Sequence, residues 1–124
     1  MDIVKFKERW VENLRSGKFK QGKGYLGKNG RYCCLGVALI TKHELEGTKP
    51  SITNRGTLYV YPRNTGGLYG SELEEHFFSP LGKIKGSRCT LSFLNDSEMS
   101  FCNIADIIDK DPSSILRNYP KDEK

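Results

Sequence analysis

Ile3, Phe6, Trp10 and Leu14 recur at steps of three and four, which stacks them on one side of a helix with Val11 beside them. Asp2 is placed to cap the start and Gly17 to end the segment, so the pattern predicts a helix over 3–16. The next stretch, KFKQGKGYLGKNGRY, has no apolar period. Its Asn29-Gly30 pair suits a type I′ turn, and Gly24 to Tyr32 reads as a short hairpin or a loop imitating one.

CCLGVALI is an eight-residue apolar run that fits a buried strand or a buried helix equally by period. Its continuation into TKHELEG, with good helix formers and a final Gly47, favours a helix over about 33–45. Thr57 to Tyr61 alternates, with Leu58 and Val60 on one side and Thr57, Tyr59 and Tyr61 on the other, as a strand does. SELE at 71–74 matches a capping box ahead of a two-turn helix that ends before Pro80.

Ser87 to Leu94 alternates again and predicts a strand with Cys89, Leu91 and Phe93 on one face, closed by an Asn95-Asp96-Ser97 turn. Ser100 caps a helix whose stripe is Phe101, Ile104, Ala105 and Ile108. Asp111-Pro112 opens a last short helix holding Ile115, Leu116 and Tyr119. Helices mixed with a small antiparallel sheet, without a βαβ rhythm, repeat or interior linker, make one α+β domain over 1–120 with a frayed tail at 121–124.

At 124 residues, 36% hydrophobic and 28% charged, the chain has the composition of a globular domain with one modest core. No apolar stretch approaches a membrane span, and the first residues lack the apolar centre of a signal peptide, so a cytoplasmic protein is expected. Cys33, Cys34, Cys89 and Cys102 would then be thiols.

Charge changes the picture more. Residues 1–32 hold nine Lys or Arg against Asp2, Glu8 and Glu12, and no acid occurs between Glu12 and Glu44. A run of this kind is either a solvated face or an anion-binding surface.

Candidate chemistries narrow quickly. A metal site is not expected, because there is no C-x-x-C or H-x-x-x-H, only scattered Cys, His43 and His76. Cys33 or Cys34 at a helix start near Arg31 is a candidate nucleophile for a cysteine hydrolase. It lacks a base, since His43 lies about 14 Å along the same helix and His76 sits in LEEHFF. Burial in the core is the simpler reading of both thiols.

No nucleotide-hydrolysis motif accompanies Gly22, Gly24, Gly27 and Gly30. Arg15, Lys18, Lys20, Lys23 and Arg31 nonetheless offer charge to an anion, and Tyr25, Tyr32, Tyr59 and Tyr61 offer stacking surfaces to a base. Phosphate plus base describes a nucleotide. The start of the 33–45 helix could add backbone amides to such a site.

The segments WVENLRSGKFKQGKGYL (10–26), RYCCLGV (31–37), LSFLND (91–96) and SFCNIADII (100–108) resemble a family of small bacteriophage and prophage accessory proteins. The order and spacing match over most of the chain except about 45–86. The resemblance implies phage provenance, for a family without a settled activity; by analogy, small accessory phage proteins are often counter-defence factors, of which some bind host enzymes and some sequester nucleotide signals. It draws attention to the polar residues within its motifs, Arg15, Gln21, Asn95 and Asp96, where turn-forming roles compete with ligand binding.

The combined expectation is a non-enzymatic, cofactor-free protein that binds a phosphorylated small molecule, a nucleotide signal, through Arg15, Lys18, Lys20, Gln21, Lys23, Tyr25, Arg31, Tyr32, Asn95 and Asp96. A homo-oligomer in which a shared interface buries the ligand fits this expectation. The alternatives are an inhibitor docking on a host protein and a nucleic-acid-binding module.

Overall fold

The computed structural model describes residues 2–59, 90–117 and 119–120. The expected strand residues Val60 and Tyr61, the capping box at 71–74 and residues 87–89 lie outside that range. Helix α1 spans Ile3–Arg15, and the Asp2 carboxylate accepts from the Val4 and Lys5 amides at its start. Phe6, Trp10, Val11 and Leu14 are buried, as the spacing requires.

Three two-residue strands follow: β1 at Lys20–Gln21, β2 at Gly27–Lys28 and β3 at Arg31–Tyr32. Asn29 and Gly30 take φ of 54° and 79°, the left-handed pair that a tight β2–β3 hairpin needs. Helix α2, Cys34–Glu46, carries the apolar run, and Gly47 closes it at φ 70°. Strands β4, Ser51–Ile52, and β5, Thr57–Tyr59, complete a five-stranded sheet in the order β1-β3-β2-β5-β4.

This sheet is mixed rather than antiparallel throughout, because β1 runs parallel to β3. The loop after β1 makes that possible: the Gly22 amide donates to the Tyr32 carbonyl at 2.7 Å, and a Cβ at Gly22 would lie only 2.9 Å from the Arg31 Cβ. The chain can lie against β3 there only because residue 22 has no side chain.

The strand expected over 87–94 is corrected where it is described. Leu91–Asp96 is a helix, α3, with the Thr90 hydroxyl accepting from the Phe93 amide as its cap. Leu91, Leu94 and Asn95 share its inner face at helical spacing, whereas Phe93, assigned to the same strand face as Leu91, is 60% exposed. Helix α4, Phe101–Lys110, begins at Ser100 as expected and buries Phe101, Ile104, Ala105 and Ile108. A single 3-10 turn, Pro112–Ser114, then delivers Ile115 and Leu116 to the core.

Helices α1, α2 and α4 pack around Trp10, whose indole N–H donates to the Cys34 carbonyl at 3.0 Å. Asn13 joins α1 to α2 through Thr41 Oγ1 at 3.0 Å and Glu44 Oε1 at 2.7 Å. The sheet meets α2 almost without clearance, since a Cβ at Gly36 would fall 1.7 Å from the Leu26 carbonyl oxygen. The same carbonyl accepts from the Cys33 amide at 3.2 Å.

Candidate functional site

Pleating divides the central strands into two rows. Gln21, Tyr32, Gly27 and Leu58 are register partners across β1, β3, β2 and β5 and face the helices, with Gly27 and Leu58 buried. Lys20, Arg31, Lys28 and Thr57 form the neighbouring row and point outward. Three cations thus stand side by side, although like charges directly opposite one another oppose sheet formation. Among the described residues, none of the three has an ion-pair partner, while Lys28 Nζ lies 4.6 Å from the centre of the Tyr25 ring.

Beside this row an open depression of about 300 Å³ is lined by Gly22, Lys23, Tyr25, Lys28, Asn29 and Arg31. Tyr25, one of the lining residues, is 41% exposed. Lys23 Nζ pairs with Glu98 Oε1 at 2.8 Å, and this contact holds the Glu98 carboxyl below its ordinary value. Flexible ammonium groups, one planar guanidinium and an exposed aromatic ring are a suitable lining for a phosphorylated, ring-bearing ligand.

The loop carrying Gly22 to Tyr25 is fixed from beneath by Asn95, which is fully buried. Asn95 Oδ1 accepts from Gln21 Nε2 at 2.9 Å and from the Cys34 amide at 3.2 Å. Its Nδ2 donates to the Gly22 carbonyl at 2.7 Å and to Asp96 Oδ1 at 3.3 Å. Asp96 Oδ1 also accepts from the Gly24 amide at 3.2 Å, and Gln21 Nε2 donates to the Met99 carbonyl at 2.6 Å. The Gln21-Gly22, Cys33-Cys34 and Asn95-Asp96 segments, far apart in sequence, form one clamp.

The ten residues expected to bind ligand therefore separate. Lys23, Tyr25 and Arg31 line the depression, and Lys20 adjoins it along the cation row. Lys18 is exposed, with Nζ 5.9 Å from the Phe19 ring centre, and is not part of the lining. Gln21 is held in the clamp, as are Asn95 and Asp96, whose side chains bond across to the Gln21–Gly24 loop rather than closing an Asx turn. Tyr32 packs edge-on against Phe19 at 5.7 Å and covers Gly27.

Arg15 turns toward α4, reaching Asp106 at 2.6 Å and Asp109 at 3.5 Å, and these carboxylates raise its pKa. Lys7 also bonds Asp109. Lys28, Asn29 and Gly22 complete the depression and were not among the expected ligand residues. The signal for Lys28 was the Asn29-Gly30 turn itself, which obliges residue 28 to face residue 31.

The helix start expected to offer amides to an anion is already occupied. Cys34 N–H bonds Asn95, and Gly36 N–H bonds Cys33 Sγ at 3.4 Å. Burial pushes the Cys33 thiol up to about 11 and the Cys34 thiol well above its ordinary value, the reverse of what a nucleophile requires. His43 bonds Thr48 Oγ1 at 2.6 Å, and burial lowers its pKa. Among the described residues no group of His, Cys, Asp or Glu side chains could hold a metal ion. The Tyr59 ring, Tyr61, His76 and Cys89 lie outside the described structure.

A family profile described as a domain of unknown function, DUF8296, matches residues 3–112. The chain belongs to this family. The match takes in α1, the sheet, the clamp and α4, and stops short of the core residues Ile115 and Leu116. No curated protein and no solved structure matches the chain significantly. Among the described residues, no helix is long and apolar enough to cross a membrane.

Proposed function

We propose that this protein binds a phosphorylated small molecule, a nucleotide signal, without transforming it, and that sequestration of that signal in a host cytoplasm serves bacteriophage counter-defence. The observation that carries the binding reading is the depression lined by Lys23, Lys28, Arg31 and the exposed Tyr25, with Lys28 Nζ 4.6 Å from the centre of the Tyr25 ring. Cations and a ring on a clamped loop offer phosphate contacts and stacking together. The counter-defence role is what the phage-family resemblance adds.

Absence of turnover is consistent with two thiols held protonated in the core. Arg15, tied to Asp106 and Asp109, is left out of the binding set, and Lys28 takes its place. Calorimetry with a panel of cyclic, linear and ADP-ribose-type nucleotides tests the reading. Binding of one class, weakened about tenfold by Arg31→Ala or Lys28→Ala and unchanged by Lys18→Ala, is expected. Failure of every nucleotide, with a short RNA or DNA strand bound instead, would replace this reading by the nucleic-acid alternative. Retention of an acidic host protein through nuclease and nucleotide washes would replace it by the docking alternative.

A further inference from the structure

The cation row extends past the depression that borders it. Lys28 and Arg31 line the depression, whereas Lys20, the next residue in register, lies outside it on β1. Neighbouring strands are about 4.8 Å apart, so the three backbones span roughly 10 Å. One phosphate placed between Lys28 and Arg31 leaves Lys20 without an anionic partner. Lys23, by contrast, is already matched to Glu98.

On the strength of the binding reading above, we infer that the ligand carries two adjacent phosphates, as a nucleoside diphosphate or another pyrophosphate-containing nucleotide does. One phosphate sits between Lys28 and Arg31 beside Tyr25, and the second sits between Arg31 and Lys20. Arg31 is the shared member, because a planar guanidinium has five donors and can bridge two oxyanions where an ammonium acts as a point charge. Gly22 preserves this arrangement, since a side chain there would meet the Arg31 Cβ and push Arg31 out of the row.

The row also limits the length of the anion. Among the described residues, it passes beyond Lys28 to Thr57, which is uncharged, and at the other end it stops at β1, the outermost described strand of the sheet. A nucleic-acid strand would be served by cations continuing along its path. Three cations with neutral or open ends suit a compact group bearing two to three negative charges.

The test is calorimetry at low salt with two matched pairs of probes, inorganic phosphate against pyrophosphate and AMP against ADP, on the full chain and on Lys20→Ala and Lys28→Ala. Lys20 is exposed, and an unchanged thermal midpoint will verify that its variant folds. The diphosphate member of each pair that binds is expected to bind about tenfold more tightly. Lys20→Ala is expected to weaken the diphosphate about fivefold and the monophosphate less than about twofold, the worth of one exposed ion pair. Lys28→Ala should weaken both.

Equal affinity within the pairs, or equal losses on Lys20→Ala, overturns the two-phosphate inference and leaves the binding reading standing. Failure of all four probes and of the wider nucleotide panel overturns both. A single-stranded oligonucleotide that outcompetes every probe, with similar losses at Lys20, Lys28 and Arg31, overturns the inference in favour of a strand.

Discussion

The two faces of strand β3 obey opposite rules. Tyr32 points inward, packs on Gly27 and Phe19, and belongs to a region where no buried side-chain nitrogen or oxygen among the described residues lacks a partner. Its neighbour Arg31 points outward between Lys20 and Lys28, where like charges face each other. The inner face is built for stability, because burial makes every unmade hydrogen bond costly. The outer face accepts unfavourable contacts that an anion would relieve. A surface arranged against its own local electrostatics is a reasonable place to look for recognition.

The comparison breaks most severely at Gly36. Gly36→Ala sets a methyl group 1.7 Å from the Leu26 carbonyl, and neither backbone can yield without separating α2 from the sheet. A loss on the order of 4 kcal/mol or more in urea unfolding is expected. A variant that kept the parent midpoint would show that the inner face is looser than described.

Asn95→Ala comes next, because it strips partners from the Cys34 amide, the Gly22 carbonyl and Gln21 at once. About 2–4 kcal/mol should be lost. The Gly22–Tyr25 loop should also gain amide exchange before α1 does, a separation that hydrogen exchange measures. Uniform gain throughout the chain would argue against a local clamp.

Alkaline pH probes the same region more gently. The buried Cys33 thiol titrates near 11 in the folded chain against an ordinary value of 9.0. The unfolded chain therefore loses its proton first, so this contribution is intact below pH 9.0 and disappears as pH rises toward 11. It amounts to about 2–3 kcal/mol. Cys33→Ser retains a capping oxygen and does not titrate there, so its stability should fall less steeply over that window; parallel curves for both proteins would refute the assignment.

The smallest effect belongs to the outer face. Lys28→Ala or Lys20→Ala should leave stability unchanged or raise it by about 0.5 kcal/mol at low salt, and added salt should erase the gain. A clear loss would mean that these cations have a structural role.

Local rules made much of the fold legible. Asp2, the Phe6-Trp10-Leu14 stripe, the Asn29-Gly30 turn, Gly47 and the Ser100 helix each act within a few residues, and each stands where its pattern indicates. Residues 91–96 misled because Leu91, Phe93 and Leu94 satisfy more than one period over so short a span, and the Thr90 cap was the discriminating signal. The basic segment was recognisable as a candidate surface, but its members were not separable. Arg15 and Arg31 look alike in sequence, yet one meets the acids of α4 and the other lines the depression without an ion-pair partner among the described residues.

The chain alone thus determined helices α1, α2 and α4, the β2–β3 hairpin and the placement of excess charge in its first third, because propensity, capping and periodicity operate over short separations. Only the tertiary structure decided which cations remain available and what the polar motif residues do. Gln21 and Asn95 meet across 74 positions, and Cys34 and Asn95 across 61. Hydrogen bonds and register at such distances depend on packing that no local pattern encodes.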